Sequence, residues 1–182
     1  MQENHYLVPA QLAGFEKNIE YNINVHDIED AEDWFVDAKE RLLDINNWRK
    51  YSKITTMDFH LTDSHSKLLH RKAHNGDHIR IDIQSQGTGF DWVAIEALEY
   101  DDYPDIDMET FAMRVRPAED PANKLDGYQH NNATSTIVIE RRGKRLSASY
   151  HGRNESQNED AASAWLGLSD ARWADLIKGL ID

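Results

Sequence analysis

The sequence contains no cysteine, which excludes a disulfide framework, thiolate catalysis and zinc sites built on sulfur. No apolar run approaches the ~18 residues that span a bilayer, and the opening MQENHYLVPAQLAGFEKN has no basic start followed by an apolar stretch. The last two absences predict a soluble, cytoplasmic protein; the lack of thiols does not by itself fix the compartment. Positive charge is scarce as well: 33 acidic side chains against 20 basic ones give a formal net charge of -13. Such a surplus repels phosphate backbones and anionic lipid surfaces, so neither nucleic acid nor a membrane is expected as a partner. A phosphate loop is missing too, because the glycine stretch QGTGFDW has no lysine and no helical pattern behind it. With no complete catalytic motif, catalytic residues stay unassigned and no cofactor is implied. Oligomeric state is equally unspecified by the sequence.

What is present suits one domain, since two domains sharing 182 residues would each be thin. We place an N-terminal arm over residues 1–18 and a single domain over 19–182. Residues 19–26, IEYNINVH, alternate Ile19, Tyr21, Ile23 and Val25 against polar neighbours, the period of a half-buried strand. In DAEDWFVDAKERLLDINNW, Trp34 or Phe35, Ala38, Leu42 and Ile45 recur at helical spacing, with Asp30 as the expected N-cap and a short turn holding Trp48 and Tyr51 to follow. Trp34 is expected to share one core with Trp173 of the last helix. Strand patterns then dominate: ITTMDFHL, HIRIDI, DWVAIEALEY, METFAMRVR, TSTIVIE and RLSASY, the last two joined by RRGK. Links this short favour an antiparallel meander. Helix returns in EDAASAWLG, capped by Asn158, and in DARWADLIKGLI, capped by Ser169.

The order of strand, helix pair, many strands and terminal helix resembles the helix-grip fold of the START and Bet v 1-like (SRPBCC) superfamily. DAEDWFVDAKERLLDINNWRKYS resembles its opening element, and GLSDARWADLIKGL its closing helix. The stretches GDHIRIDI, FDWVAIEALE, ATSTIVIERRGKRLSASYHGRNE and LGLSDARWADLIKGL are similar to an uncharacterised family of bacterial proteins. The superfamily resemblance implies an α+β fold: a curved antiparallel sheet of about seven strands gripping the C-terminal helix, with a cavity between them for an apolar ligand. The pattern of the terminal helix is interrupted near Gly167 and Ser169.

Five of the nine histidines, His60, His65, His70, His74 and His78, crowd into nineteen residues. A two-residue turn at Asn75-Gly76 would place His74 opposite Asp77 and His70 opposite Ile81, scattering them. A three-residue loop would instead pair His74 with His78, Lys72 with Arg80 and His70 with Asp82 on one face. Even then Lys72 and Arg80 disfavour a dication, and Asp82 is the one obvious acceptor to fix a histidine tautomer. No metal site is expected; the stretch reads as a solvated outer sheet face. The acidic stretch EYDDYPDIDME, residues 99–109, lacks EF-hand spacing and reads as a solvated connection, with Arg114 and Arg116 balancing its charge.

SYHGRNE, residues 149–155, is the most concentrated polar group, where Gly152 permits a turn and His151, Arg153 and Asn154 supply a base, a cation and an amide. Its structural role would be to tie the loop to the sheet. The leading functional expectation is a binding module for a small apolar or amphipathic molecule. Its cavity would draw on Phe59, Trp92, Phe111, Met113, Tyr150 and Trp173, with His151 and Arg153 at the open end. An alternative uses the same cavity as an active site, with His151 as acid or base and Arg153 holding an anion. A third is an acidic surface that meets a basic protein.

Overall fold

The computed structural model describes residues 5–83, 90–122, 132–155 and 170–182. The expected Asn158 and Ser169 caps, the EDAASAWLG helix and the Gly167 break lie outside them. Strand β1 spans Phe15–Asn24 and so begins before residue 19, leaving 5–14 as the arm. Helix α1 covers Ile28–Leu43, a 3-10 turn Ile45–Asn47 and helix α2 Trp48–Ser52. Strands follow at β2 Met57–Thr62, β3 His78–Ile83, β4 Phe90–Tyr103, β5 Met108–Ala118, β6 Thr134–Arg142 and β7 Arg145–Glu155, and helix α3 at Asp170–Ile181. All seven strands form one antiparallel sheet in the order β1-β7-β6-β5-β4-β3-β2. The chain from β2 to β7 is thus a meander, and β1 returns beside β7.

The three helices lie on one face of this sheet. Strand alternation decides what they cover: Leu146, Ala148 and Tyr150 of β7 point at the helices, as do Ile137 and Ile139 of β6, and all enter one core with Phe35, Trp48, Phe59, Met113 and Trp173. Tyr150 and Trp173 stack with ring centroids 3.8 Å apart. Helix α3 comes so close to α2 that a Cβ on Gly179 would collide with the Tyr51 carbonyl. Only glycine permits that approach.

Several expectations need correcting. Asp27, not Asp30, caps α1: its backbone is extended and its Oδ1 accepts from Asp30 N at 2.8 Å. Phe35 is the core residue at 1 % exposure, whereas Trp34 is 39 % exposed. The buried stripe runs Ala31, Phe35, Ala38 and Leu42, and Trp34 lies one residue off it. Neither hairpin register at Asn75-Gly76 exists. Gly76 does turn, at φ 92, but the Asp77 carboxylate accepts from His74 N at 2.8 Å and from Arg71 Nη1 at 2.7 Å, holding residues 71–77 as a turn rather than a strand. β3 pairs instead with β2, which sets His60 beside Arg80 and gives His60 Nε2 to Asp82 at 3.3 Å.

Asn46 fastens the outer edge of β2. Its Oδ1 accepts from Leu61 N and its Nδ2 donates to Leu69 O, both at 2.8 Å, while Leu69 N donates to Leu61 O at 2.9 Å. Arg114 and Arg116 both pair with Glu96, whose carboxylate a bulge between Ile95 and Ala97 brings to them. Arg141 balances the hairpin acids, binding Asp107 at 3.0 Å and Glu109 at 2.7 Å.

Candidate functional site

The eight expected ligand residues fall on opposite sides of the sheet. Phe59, Phe111, Met113, Tyr150 and Trp173 lie together in the helix-side core. Trp92 alternates with the core residues Val93 and Ile95 and faces the other way, as do His151 and Arg153, which alternate with Tyr150. His151 and Arg153 therefore do not flank the Tyr150–Trp173 stack. A period of two forbids it.

On the helix side, Asn154 at φ 56 interrupts the alternation of β7. Glu155 consequently reaches Tyr150, whose hydroxyl donates to Glu155 Oε1 at 3.1 Å and lies 2.9 Å from Ser135 Oγ. Gly152 leaves the space this carboxylate occupies. Burial raises the Glu155 carboxyl above its ordinary range, against the pull of Lys17. Lys17 Nζ pairs with Asp170 at 3.0 Å and joins β1 to the start of α3.

The outer face is crossed by the N-terminal arm. Leu7 packs on Ala112 and Val138, and its carbonyl accepts from Arg114 Nη1 at 3.3 Å. His5 lies 3.3 Å from Thr110 Oγ1, and the Tyr6 hydroxyl donates to Asp101 at 2.6 Å. At the far end Asn154 Oδ1 accepts from the backbone of Leu12 and Ala13 at 2.7 and 3.1 Å. Burial, opposed by Asp101 and Glu99, lowers the His5 pKa.

Between this arm, β1 and the tip of the β4–β5 hairpin lies a hollow of about 960 Å³. Ile106, Met108 and Val138 give it an apolar wall and Ser147, Ser149 and His151 a polar floor, while the rim is charged, Arg142 standing 3.6 Å from Glu140 and Arg145 3.9 Å from Glu20. His151 Nδ1 is 2.9 Å from Asn18 Oδ1 and Nε2 is 2.9 Å from Ser149 Oγ. Burial first, then the Arg153 and His5 charges, lower the His151 pKa to about 4, with Glu16 opposing. The ring is neutral at pH 7. Arg153 is 2 % exposed and is used internally: Nη1 donates to Gly152 O at 2.8 Å and Lys17 O at 3.4 Å, and Nη2 is 3.5 Å from Glu16 Oε1.

Sequence reasoning located His151 but missed Asn18, Ser149 and the arm residues His5 and Tyr6. Ser149 carried a usable signal, since Ser147, Ser149 and His151 share one face at a period of two. Asn18 did not, because it meets His151 only through the long-range pairing of β1 with β7. Among the described residues no three His, Asp or Glu side chains are grouped to hold a metal ion, and no helix is long and apolar enough to cross a membrane.

No protein-family model matches the chain, and no curated protein matches it. Among solved structures, a hypothetical protein, jhp0584, from Helicobacter pylori is similar at 15 % identity over 91 % of this chain and 86 % of its own, with a TM-score of 0.50. A norcoclaurine synthase from Thalictrum flavum, a point mutant in complex with a transition-state analogue, is 8 % identical over 94 % and 95 % of the two chains, with a TM-score of 0.45. The major latex-like protein 151 of Panax ginseng is 10 % identical over 92 % and 93 %, with a TM-score of 0.39. At such identities the likeness is one of fold, and the fold of this chain is the helix grip: a seven-stranded antiparallel sheet closed on a C-terminal helix.

Proposed function

We propose that this protein is a cytoplasmic binding module for a small amphipathic molecule, seated in the outer hollow rather than between sheet and terminal helix. Membership of the bacterial family is part of the same reading and rests on the shared sequence stretches. One observation carries it: the hollow of about 960 Å³ has an apolar wall and a polar floor side by side, at the upper end of the roughly 300–1,000 Å³ usual for small-molecule sites. A short apolar tail would lie on Ile106, Met108 and Val138, and a polar head would meet the rim, where Arg142 and Arg145 share their donors with Glu140 and Glu20. In this arrangement Phe59, Met113, Tyr150 and Trp173 support the sheet from beneath, and His151 meets the ligand. Arg153 holds the β1 edge through Glu16 and backbone carbonyls.

The test is titration with a fluorescent fatty acid. Binding should be lost in Ser149→Trp, whose ring fills the floor, and weakened several-fold in Arg145→Ala, with thermal unfolding of both near that of the unmodified protein. Undiminished affinity in Ser149→Trp, or no binding by the unmodified protein, would refute the reading.

A further inference from the structure

The floor of the hollow holds three side chains whose arrangement goes past binding. β7 alternation puts Ser149 and His151 on one face, and the register of β1 sets Asn18 opposite His151. His151 Nε2 is 2.9 Å from Ser149 Oγ, and Nδ1 is 2.9 Å from Asn18 Oδ1. The next link decides which nitrogen carries the proton. Glu16 Oε1 accepts from Asn18 Nδ2 at 3.1 Å, and an ionised carboxylate only accepts. The amide is thereby fixed with its oxygen toward the ring, so Nδ1 must bear hydrogen and donate. Nε2 is left with its lone pair, facing the serine hydroxyl. A hydroxyl, a base and an acceptor that orients the base, in that order, make up an activated nucleophile.

We propose that Ser149 attacks small uncharged carboxylic esters bound in the hollow, with His151 as general base and Asn18 as a positioning residue. The idea rests on the hollow being a binding site for amphipathic molecules. Ser149 Oγ forms a bond to the carbonyl carbon as its proton passes to His151 Nε2. Collapse of the tetrahedral intermediate breaks the bond to the alkoxy oxygen, which leaves as the alcohol with that proton. Water, deprotonated by the same nitrogen, then attacks the acyl-serine; the carboxylic acid departs and Ser149 regains its hydrogen.

The surroundings suit this chemistry. Burial and the neighbouring Arg153 keep the imidazole unprotonated across neutral pH, so the accepting lone pair is always present. Glu16, behind Asn18, offsets the charge of the imidazolium that forms. Ser147, two residues back on the same strand face, offers a hydroxyl to the carbonyl oxygen. Glu20, opposite Ser149 in the register, would repel an oxyanion, but Arg145 stands 3.9 Å from its carboxylate. Glu20 and Glu140, both lining the hollow, disfavour a negative charge beside the ester.

The experiment treats the whole protein with diisopropyl fluorophosphate and maps the adduct by peptide mass spectrometry. This reagent needs an activated hydroxyl but no apolar tail. One adduct on Ser149 is expected, absent in Ser149→Ala and formed about 10²-fold more slowly in His151→Gln. Asn18→Asp, which sets a carboxylate against Nδ1, should move the ascending limb of the labelling rate to higher pH. No adduct on Ser149, or the same rate without His151, would overturn the proposal, and an unmoved limb would remove Asn18 from it. Binding of the fluorescent fatty acid without an adduct would defeat the nucleophile alone; an adduct without such binding would defeat the binding reading alone.

Discussion

His151 should make the protein acid-sensitive in a window set by its own titration. The sign follows from its lowered pKa, about 4 in the fold against an ordinary 6.5. Below about pH 6.5 the unfolded chain takes up a proton at this position that the folded chain refuses until about pH 4, so stability falls across that interval and is flat above it. Between about pH 7.5 and pH 5 the loss from this one group is about 2 kcal/mol. At this chain length that corresponds to a drop in Tm of roughly 4–8 °C. His5, lowered by burial as well, adds in the same direction. Glu155 opposes them, because a carboxyl raised in the fold binds its proton more readily there as the pH falls. Scanning calorimetry of the protein and of His151→Gln, whose amide keeps hydrogen-bonding capacity without titrating, isolates the effect of this side chain. The variant should show a slope shallower by that amount. Identical slopes would mean that His151 is solvated in the folded protein, and its hydrogen bonds to Ser149 and Asn18 would have to be abandoned.

Phe35→Ala should cost about 3–5 kcal/mol in chemical denaturation, and Trp34→Ala well under half of that, because the larger ring is the exposed one; equal losses would refute the helix phase. Trp173→Ala should match Phe35→Ala, since its ring is fully buried against Tyr150. Gly179→Ala, favourable in an isolated helix, should instead destabilise by about 1–3 kcal/mol, as α3 must withdraw from the Tyr51 carbonyl; a stabilised variant would show that the helices are not in contact there. Arg141→Ala, which strips Glu109 and Asp107 of their partner, should lower the Tm measurably.

How far the molecule could be read in advance depended on the range of the interaction. Alternation in ITTMDFHL, TSTIVIE and RLSASY is a property of neighbouring residues, and those strands stand where their patterns put them. The same rule, applied to YHGR, already separates Tyr150 from His151. Local chemistry with competing candidates was harder: the run from Asp27 to Asp33 offers five acids and a choice of caps, and the backbone settles it at Asp27. Asn75-Gly76 has genuine turn residues, yet the Asp77 side chain closes the turn on its own N-terminal side and β3 finds its partner in β2, the nearest pair, Thr62 with His78, lying sixteen positions apart. Nothing local announces the bulge that brings Glu96 to Arg114 and Arg116, or the meeting of Asn18 with His151 across 133 positions of chain.

The fastening of β2 by Asn46 bears on how the protein behaves in crowded solution. An edge strand with free amides and carbonyls is a template on which another chain can continue the sheet, the first step toward ordered aggregates. Here the amide and carbonyl of Leu61 are both already committed, one to the side chain of Asn46 and the other to the backbone of Leu69. A single asparagine thus acts as a guard against polymerisation at that end of the sheet. Its loss would be felt less in the melting temperature than in the concentration at which the protein stays dispersed.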